Sequence, residues 1–308
     1  MNFMAKVELD KLPLSIGKKT RLRRILYDHG PGNGLAMILP VDHGLEHGPV
    51  DFFGNPPSQD PDYILHLAEE GNYSAVVLQY GLAARNMANY AGRIPLILKV
   101  NGKTNIPSSE NALSPQTATV EDAVRLGADA VGYTLYVGSP AQFEDFRQFQ
   151  VIRDDCERFG MPLIVWAYPR GRAIEEKGGR DSLYAIDYAA RVAAELGADL
   201  VKLNIPKFEE ARMGHQPKPY DTLRLDLHDA VAKIVRSASG VPVLISGGGK
   251  VSDEEVLNRA KTVLDAGACG LIFGRNMFQR PLPEALDITR RIQELIRQAA
   301  TGSGSQGH

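Results

Sequence analysis

The sequence predicts a closed (β/α)₈ barrel. Three observations carry the prediction: eight short apolar runs, an amphipathic stretch after each, and no composition break or long linker in the chain. The runs are AMILPVDH (36–43), SAVVLQY (74–80), PLILKVNG (95–102), DAVGYTLYVG (129–138), PLIVWAYP (162–169), ADLVKLNIP (198–206), VPVLISGGG (241–249) and CGLIFGR (269–275). Between them lie helix-like stretches, including DAVRLG, SLYAIDYAARVAAELG, LDLHDAVAKIVRSA, DEEVLNRAKTVLDAG and LPEALDITRRIQELIRQAA. Ser252, Asp253 and Glu255 carry helix-start chemistry, and Gly71, Gly127, Gly197 and Gly267 are expected to end four helices in a left-handed conformation. A weak repeat follows those glycines: EGNYSAVVL, LGADAVGYT, LGADLVKLN and AGACGLIFG. An open doubly wound sheet would carry its Gly-rich turn after the first strand. Here the first run ends in Asp-His-Gly, and the Gly-rich turn follows the seventh.

The repeat sets the domain expectations. Residues 1–34 lie outside it and supply a helix near residues 18–27 to cover the bottom of the barrel; residues 35–300 form a single catalytic barrel; residues 301–308, TGSGSQGH, form a flexible tail. With 308 residues, 44% hydrophobic and 23% charged, the chain has material for a sizeable core. A net charge of −2 gives no support to a nucleic-acid or anionic-membrane partner. The basic run GKKTRLRR (17–24) reads as a solvated helix face. Cys156 and Cys269 are too few for a disulfide framework or a thiolate cage, which points to a reducing compartment. With no secretory or membrane-spanning run, a cytoplasmic protein is expected.

Barrel active sites sit at the C-terminal mouth, so strand ends are the candidates. Residues two apart share a face, which groups Ile38, Pro40 and Asp42; Ile164, Trp166 and Tyr168; and Leu200, Lys202 and Asn204. Facing inward, these sets bring Asp42, Tyr168 and Lys202 together. Keeping an ordinary lysine, pKa ~10.4, as a free amine at pH 7 costs roughly 4–5 kcal/mol, and burial beside other cations removes part of that. Two readings of Lys202 remain open: a Schiff-base nucleophile, or a structural lysine paired with a carboxylate such as Asp42. Lys99 is a rival amine at another strand end. ISGGG and FGRN end the seventh and eighth runs, where barrels build a phosphate site from backbone N–H groups; Ser246, Gly247, Gly248, Gly249, Gly274 and Arg275 are therefore its candidates. Neither stretch is a Walker A loop, because Lys250 is followed by Val251. Phosphorylated small molecules are the expected substrate class.

His43, Glu46 and His47 fall in the order H-x-x-E-H, the spacing of one class of zinc peptidase. That chemistry needs a helix. Residues 43–47 directly follow a strand and contain or abut Gly44 and Gly48, so a mouth loop without metal is expected.

Five motifs in order, PVDHGLEHGP, WAYPRG, VKLNIP, LISGGG and FGRN, span nearly the whole barrel. Through them the chain resembles the archaeal-type class I fructose-bisphosphate aldolases, the DhnA group. The resemblance implies a (β/α)₈ fold without metal or cofactor, and a covalent Schiff base on Lys202 with a phosphorylated ketose. It also implies that Tyr168 moves the proton, that Asp42 orients substrate hydroxyls, and that Trp166, Arg170, His43 and the glycine loops bind substrate. Related members of the group are transaldol synthases or thiolases using the same lysine and tyrosine. Glycolysis and gluconeogenesis are the expected setting, and a homo-oligomer the expected assembly. A non-catalytic phosphate-binding barrel is the alternative of another class, and it would need the glycine loops but not the converging lysine, tyrosine and aspartate.

Overall fold

Each apolar run becomes a short strand, and the eight strands pair in parallel and in chain order around a closed barrel in the computed structural model, which describes residues 6–249 and 251–302. They are β1 (Ala36–Pro40), β2 (Ala75–Gln79), β3 (Leu96–Lys99), β4 (Ala130–Val137), β5 (Leu163–Pro169), β6 (Leu200–Leu203), β7 (Val243–Ser246) and β8 (Gly270–Ile272). β1 pairs with both β2 and β8, so no edge is left open. The (β/α)₈ fold expected from the sequence is thus present. Most strands stop short of their apolar runs, which places the polar ends on the mouth. Asp42 lies just past β1, and Asn204 just past β6. Arg275, expected at the end of a strand, instead opens a helical turn (Arg275–Phe278), because Gly274 leaves the extended region at φ −100°, ψ −81°.

Alternation sorts the strand side chains into two layers. Met37, Leu39, Val76, Leu96, Leu98, Leu163, Val165, Val201 and Leu203 pack outward against the helices. Ile38, Val77, Ile97, Ile164, Trp166, Leu200 and Leu244 fill the barrel, with Tyr168 packed against them. The inward sets read from the sequence are correct.

Several helix expectations need correction. The 18-residue helix Gln142–Phe159 is the longest missed; its buried face is Asp145, Phe149, Ile152 and Cys156, and Gly160 caps it in the left-handed region. Gly197, Gly127 and Gly267 do adopt positive φ. Gly71 does not: its φ is −76°, and the left-handed residue is Asn72 at φ +44°. A Cβ on Gly71 would meet the Leu67 carbonyl and the Tyr73 ring at 2.7 Å, so close packing rather than backbone hand requires glycine there. Ser252 caps its helix as expected, accepting the Glu255 N–H. No helix among the described residues is long and apolar enough to cross a membrane. Lys250 and most of the tail expected at 301–308 lie outside the described residues.

The N-terminal end of the barrel is plugged by α1 (Ile16–Arg23) and the wider turn Arg24–Asp28. Leu22, Ile25 and Leu26 are fully buried with Ala36, Ala75, Ala130 and Leu200, the residues that open their strands. The basic run 17–24 is not simply a solvated face. Lys18 is fully buried and pairs with Asp199 at 2.8 Å and with Glu157, while Arg24 pairs with Asp129 at 2.7 Å. These aspartates are the two of the repeated GAD segments, each standing immediately before a strand. Asp199 also accepts the Leu163 N–H at 2.8 Å, so one carboxylate ties α1, β5 and β6 together.

Gly132 of β4 lies beside Lys99 of β3 in the sheet register. A Cβ on Gly132 would meet Trp166 Cζ3 at 2.9 Å and Lys99 Cδ at 3.1 Å. The missing side chain is a notch that lets the Lys99 stem and the indole share the inner layer.

Two outcomes follow. Lys18→Met leaves the Asp199 carboxylate buried without its cation, and chemical denaturation should register a loss of about 3–5 kcal/mol. Gly132→Ala overpacks the barrel at a cost of about 1–3 kcal/mol. Because Trp166 is the single tryptophan, its fluorescence should shift in that variant.

Candidate active site

The strand ends and the loops after them enclose a cavity of about 760 Å³ at the C-terminal mouth, within the range that holds small ligands. It is lined by every site residue expected from the sequence: Asp42, His43, Trp166, Tyr168, Arg170, Lys202, Ser246, Gly247, Gly248, Gly249, Gly274 and Arg275. Sequence reasoning passed over Arg180, Lys207, Asn204 and Thr134, which also line it. Arg180 and Lys207 stand in loops after β5 and β6, away from the strand faces and the glycine loops of the seventh and eighth runs that signal the site. Asn204 completes an inward set and could have been found from it.

Lys202 stands at the centre, 5% exposed, and donates a hydrogen bond to the Tyr168 hydroxyl, with its nitrogen 4.3 Å from that ring's centroid. Burial drives its pKa down to about 7; Asp42 and Glu46 oppose the fall, whereas Lys99 and Arg170 reinforce it. Tyr168 moves the other way. Burial raises its hydroxyl well above the ordinary tyrosine value, and the carboxylates of Asp42 and Glu46 add to the rise, so it stays protonated across the working range. Burial pushes Asp42 upward, but Lys99, His43 and Lys202 outweigh it and hold the carboxyl below its ordinary value.

The ion-pair partner of Asp42 is Lys99, at 3.7 Å from Oδ2. Lys99 is 2% exposed; it donates to Thr134 Oγ1 at 2.6 Å and to the Asn101 carbonyl at 3.4 Å, and lies 5.3 Å from the Trp166 ring centroid. Of the two sequence readings of an inward lysine, the carboxylate-paired one describes Lys99, whereas Lys202 is hydrogen-bonded to a phenol.

The H-x-x-E-H stretch is not the loop expected from its glycines. His43–His47 forms a single helical turn, α2, closed by the Gly48 N–H bonding to the Gly44 carbonyl. Tertiary contacts override the low propensity. The Asn105 N–H donates to the Glu46 carbonyl at 2.9 Å, and Phe52 packs over Gly44. His47 Nδ1 is 2.6 Å from Asp51 Oδ2, and the His43 ring lies 5.7 Å from that of Phe278. Among the described residues, the carboxylate and imidazole group close enough to share a metal is Asp226, His228 and Asp229, which is exposed and does not itself line the cavity.

The glycines of the last two loops have separate causes. A Cβ on Gly247 would sit 2.8 Å from the Phe273 ring, and one on Gly274 would sit 2.6 Å from His43 Cε1. Gly248 has φ +69°, a left-handed value. Gly249 has neither constraint, and a Cβ there would meet nothing within 4 Å. Its bareness is not explained by protein packing. Arg275 Nη2 donates to the Gly248 carbonyl at 3.4 Å, and Ser246 Oγ donates to Asn204 Oδ1 at 2.9 Å. The site thus offers a near-neutral amine beside a protonated phenol, an ionised carboxylate, and an arginine over a bare glycine loop.

Residues 36–280, which contain all eight strands, match the model of the DeoC/LacD family aldolases. The fructose-bisphosphate aldolase class 1 of Thermoproteus tenax is 41% identical over 264 residues, covering 85% of this chain and 90% of that one. That of Halobacterium salinarum is 37% identical over 256 residues, covering 82% and 88%. A solved archaeal fructose-1,6-bisphosphate aldolase, with its catalytic lysine covalently bound to the carbinolamine intermediate of the substrate, superposes with a TM-score of 0.76 at 38% identity, covering 90% of this chain and 98% of that one. With the closed barrel, the cavity and these matches in place, the chain belongs to the DeoC/LacD aldolase family.

Proposed function

We propose that this chain is a class I fructose-bisphosphate aldolase, cleaving fructose 1,6-bisphosphate to dihydroxyacetone phosphate and glyceraldehyde 3-phosphate, and running the reverse condensation, through an imine on Lys202. One observation carries the reading: a buried lysine amine, its pKa driven down to about 7 by burial, is hydrogen-bonded to a protonated tyrosine inside the mouth cavity. The 41% identical relative from Thermoproteus tenax bears that activity in its name.

The Lys202 amine adds to the C2 carbonyl of the open-chain ketose, and the carbinolamine loses water to give a protonated imine. Asp42, ionised and facing the cavity, orients the hydroxyls and takes the C4 hydroxyl proton. The C3–C4 bond then breaks, its electron pair moves toward the imine nitrogen, and glyceraldehyde 3-phosphate leaves an enamine behind. Tyr168 protonates that enamine at C3, and water releases dihydroxyacetone phosphate. A phenol whose pKa lies well above the ordinary value is a proton store at neutral pH, and its bond to Lys202 sets it within reach of the reacting carbons. Gly249, bare without a packing reason, and Arg275 support a phosphate seat at the β7 and β8 loops. Phosphate contacts remote from the breaking bond hold the substrate in position for reaction. The covalent carbinolamine on the catalytic lysine of the 38% identical archaeal aldolase supports imine chemistry here, and a reaction without metal or organic cofactor is part of the proposal.

Borohydride with dihydroxyacetone phosphate should inactivate the enzyme and leave a mass gain mapping to Lys202. Lys202→Ala should lose both labelling and cleavage, and activity retained in that variant, or lost to chelator alone, contradicts the reading. Tyr168→Phe removes the hydroxyl, and with it the proton donor and the acceptor of the Lys202 hydrogen bond, while keeping the ring. It should lower turnover by roughly 10²–10⁴-fold while leaving Lys202 open to borohydride labelling.

A further inference from the structure

The mouth holds a second buried lysine that the aldolase reading leaves without a task. Lys99 comes from β3, three strands away from Lys202 on β6. Its stem passes through the notch at Gly132, beside the Trp166 indole. Its nitrogen is fixed by Thr134 Oγ1 at 2.6 Å and the Asn101 carbonyl at 3.4 Å, and it faces Asp42 Oδ2 at 3.7 Å. Asn101 is itself held rigidly: its Oδ1 accepts the Thr134 N–H at 2.7 Å, and its Nδ2 donates to the Thr134 carbonyl at 2.8 Å. A lysine so tightly pinned, and absent from the cavity lining, cannot swing out to form an imine.

We propose, resting on the imine reading above, that Lys99 is a positioning residue: it engages the Asp42 carboxylate from below, so that Asp42 reaches substrate as an anion without becoming the counter-ion of Lys202. The charge balance at the mouth supports this. Asp42 and Glu46 are the carboxylates that favour the ammonium form of Lys202, while Lys99 and Arg170 disfavour it. Asp42 in turn is held ionised by Lys99, His43 and Lys202 together. Burial lowers Lys99 too, and Asp42, Glu46 and Asp145 oppose the fall; its acceptors on three sides are the surroundings of an ammonium. Without Lys99, Asp42 would keep Lys202 as its nearest cationic partner on the inner face, and the amine needed for attack would be protonated at neutral pH.

The test follows the rate of borohydride-trapped imine with dihydroxyacetone phosphate against pH in the full-length protein, with the label mapped by peptide mass. Wild type should rise through a limb near pH 7, the value to which burial brings Lys202. Lys99→Met keeps the stem and removes the charge. Its limb should move up by about one unit or more, so that trapping at pH 6–7 falls roughly tenfold and recovers in alkali. Adding Asp42→Asn to Lys99→Met should return the limb to the wild-type position or below, because the competing anion is gone. Lys99→Arg, which restores the charge, should keep a low limb even if it is slow. A Lys99→Met enzyme that is slower at every pH with an unmoved limb overturns the proposal, as does a double variant whose limb stays as high as that of Lys99→Met. If Lys99→Met does not fold, Lys99→Gln, which also removes the charge but keeps a donor for Thr134 Oγ1, should move the limb in the same direction, and an unmoved limb there overturns the proposal equally. Wild type that is not labelled at Lys202 defeats the imine reading itself and this proposal with it, whereas labelling at Lys202 with an unmoved limb defeats the proposal alone.

Discussion

The chemistry of the mouth depends on keeping water away from the Lys202 amine. A lysine in water is an ammonium at neutral pH and cannot attack a carbonyl; one driven to about 7 is close to half amine. Burial is the largest cause of that fall, and burial here is a property of the whole barrel. Ile164, Leu200 and Leu244 fill the interior, and Leu22, Ile25 and Leu26 close its far end. The ion pairs of Lys18 with Asp199 and of Arg24 with Asp129 hold that plug at the N-terminal ends of β6 and β4. The polar network at the bottom and the amine near the top are therefore linked by packing, although among the described residues no direct hydrogen bond joins them.

Dryness alone would be as damaging as useful, because the site must also carry charge for a phosphorylated substrate. The structure separates the two needs by height. Low in the mouth, Lys202, Trp166 and Lys99 sit almost fully buried, with Tyr168 partly buried beside Lys202; higher up, Arg170, Arg180, Lys207 and Arg275 line the cavity where it opens. Glycines make the room. Gly132 admits two large side chains to one layer, Gly274 admits the His43 ring, and Gly249 leaves open space at the loop after β7.

Much of this was legible in the sequence, because period-two alternation in a closed barrel has one meaning: a residue two positions from a buried apolar neighbour faces the same way. That rule alone placed Asp42, Tyr168 and Lys202 on the inner face and brought them to one cavity. What was not legible depended on particular contacts that spacing and periodicity do not show. His43–His47 folds as a helical turn because Asn105, far along the chain, and Phe52, in the segment just after it, hold it. Gly71 resembled its three repeat partners by letter, yet the Tyr73 ring, not backbone hand, requires it. The GAD aspartates were noticed as a repeat, but their partners are on a helix more than a hundred residues away. Lys99 and Lys202 looked alike as strand-end lysines, and their partners tell them apart: Lys99 faces Asp42 and Thr134, Lys202 the Tyr168 hydroxyl.

The most direct test is to titrate the Lys202 ammonium itself, by ¹³Cε–¹⁵Nζ NMR of lysine-labelled protein without substrate, with the signal assigned by its disappearance in Lys202→Ala. Because burial lowers the folded pKa, the resonance should be that of an ammonium in acid and change to that of an amine as the pH rises through about 7. A midpoint near the ordinary lysine value of ~10.4 would mean that the barrel does not desolvate this amine, and would contradict the account at its base.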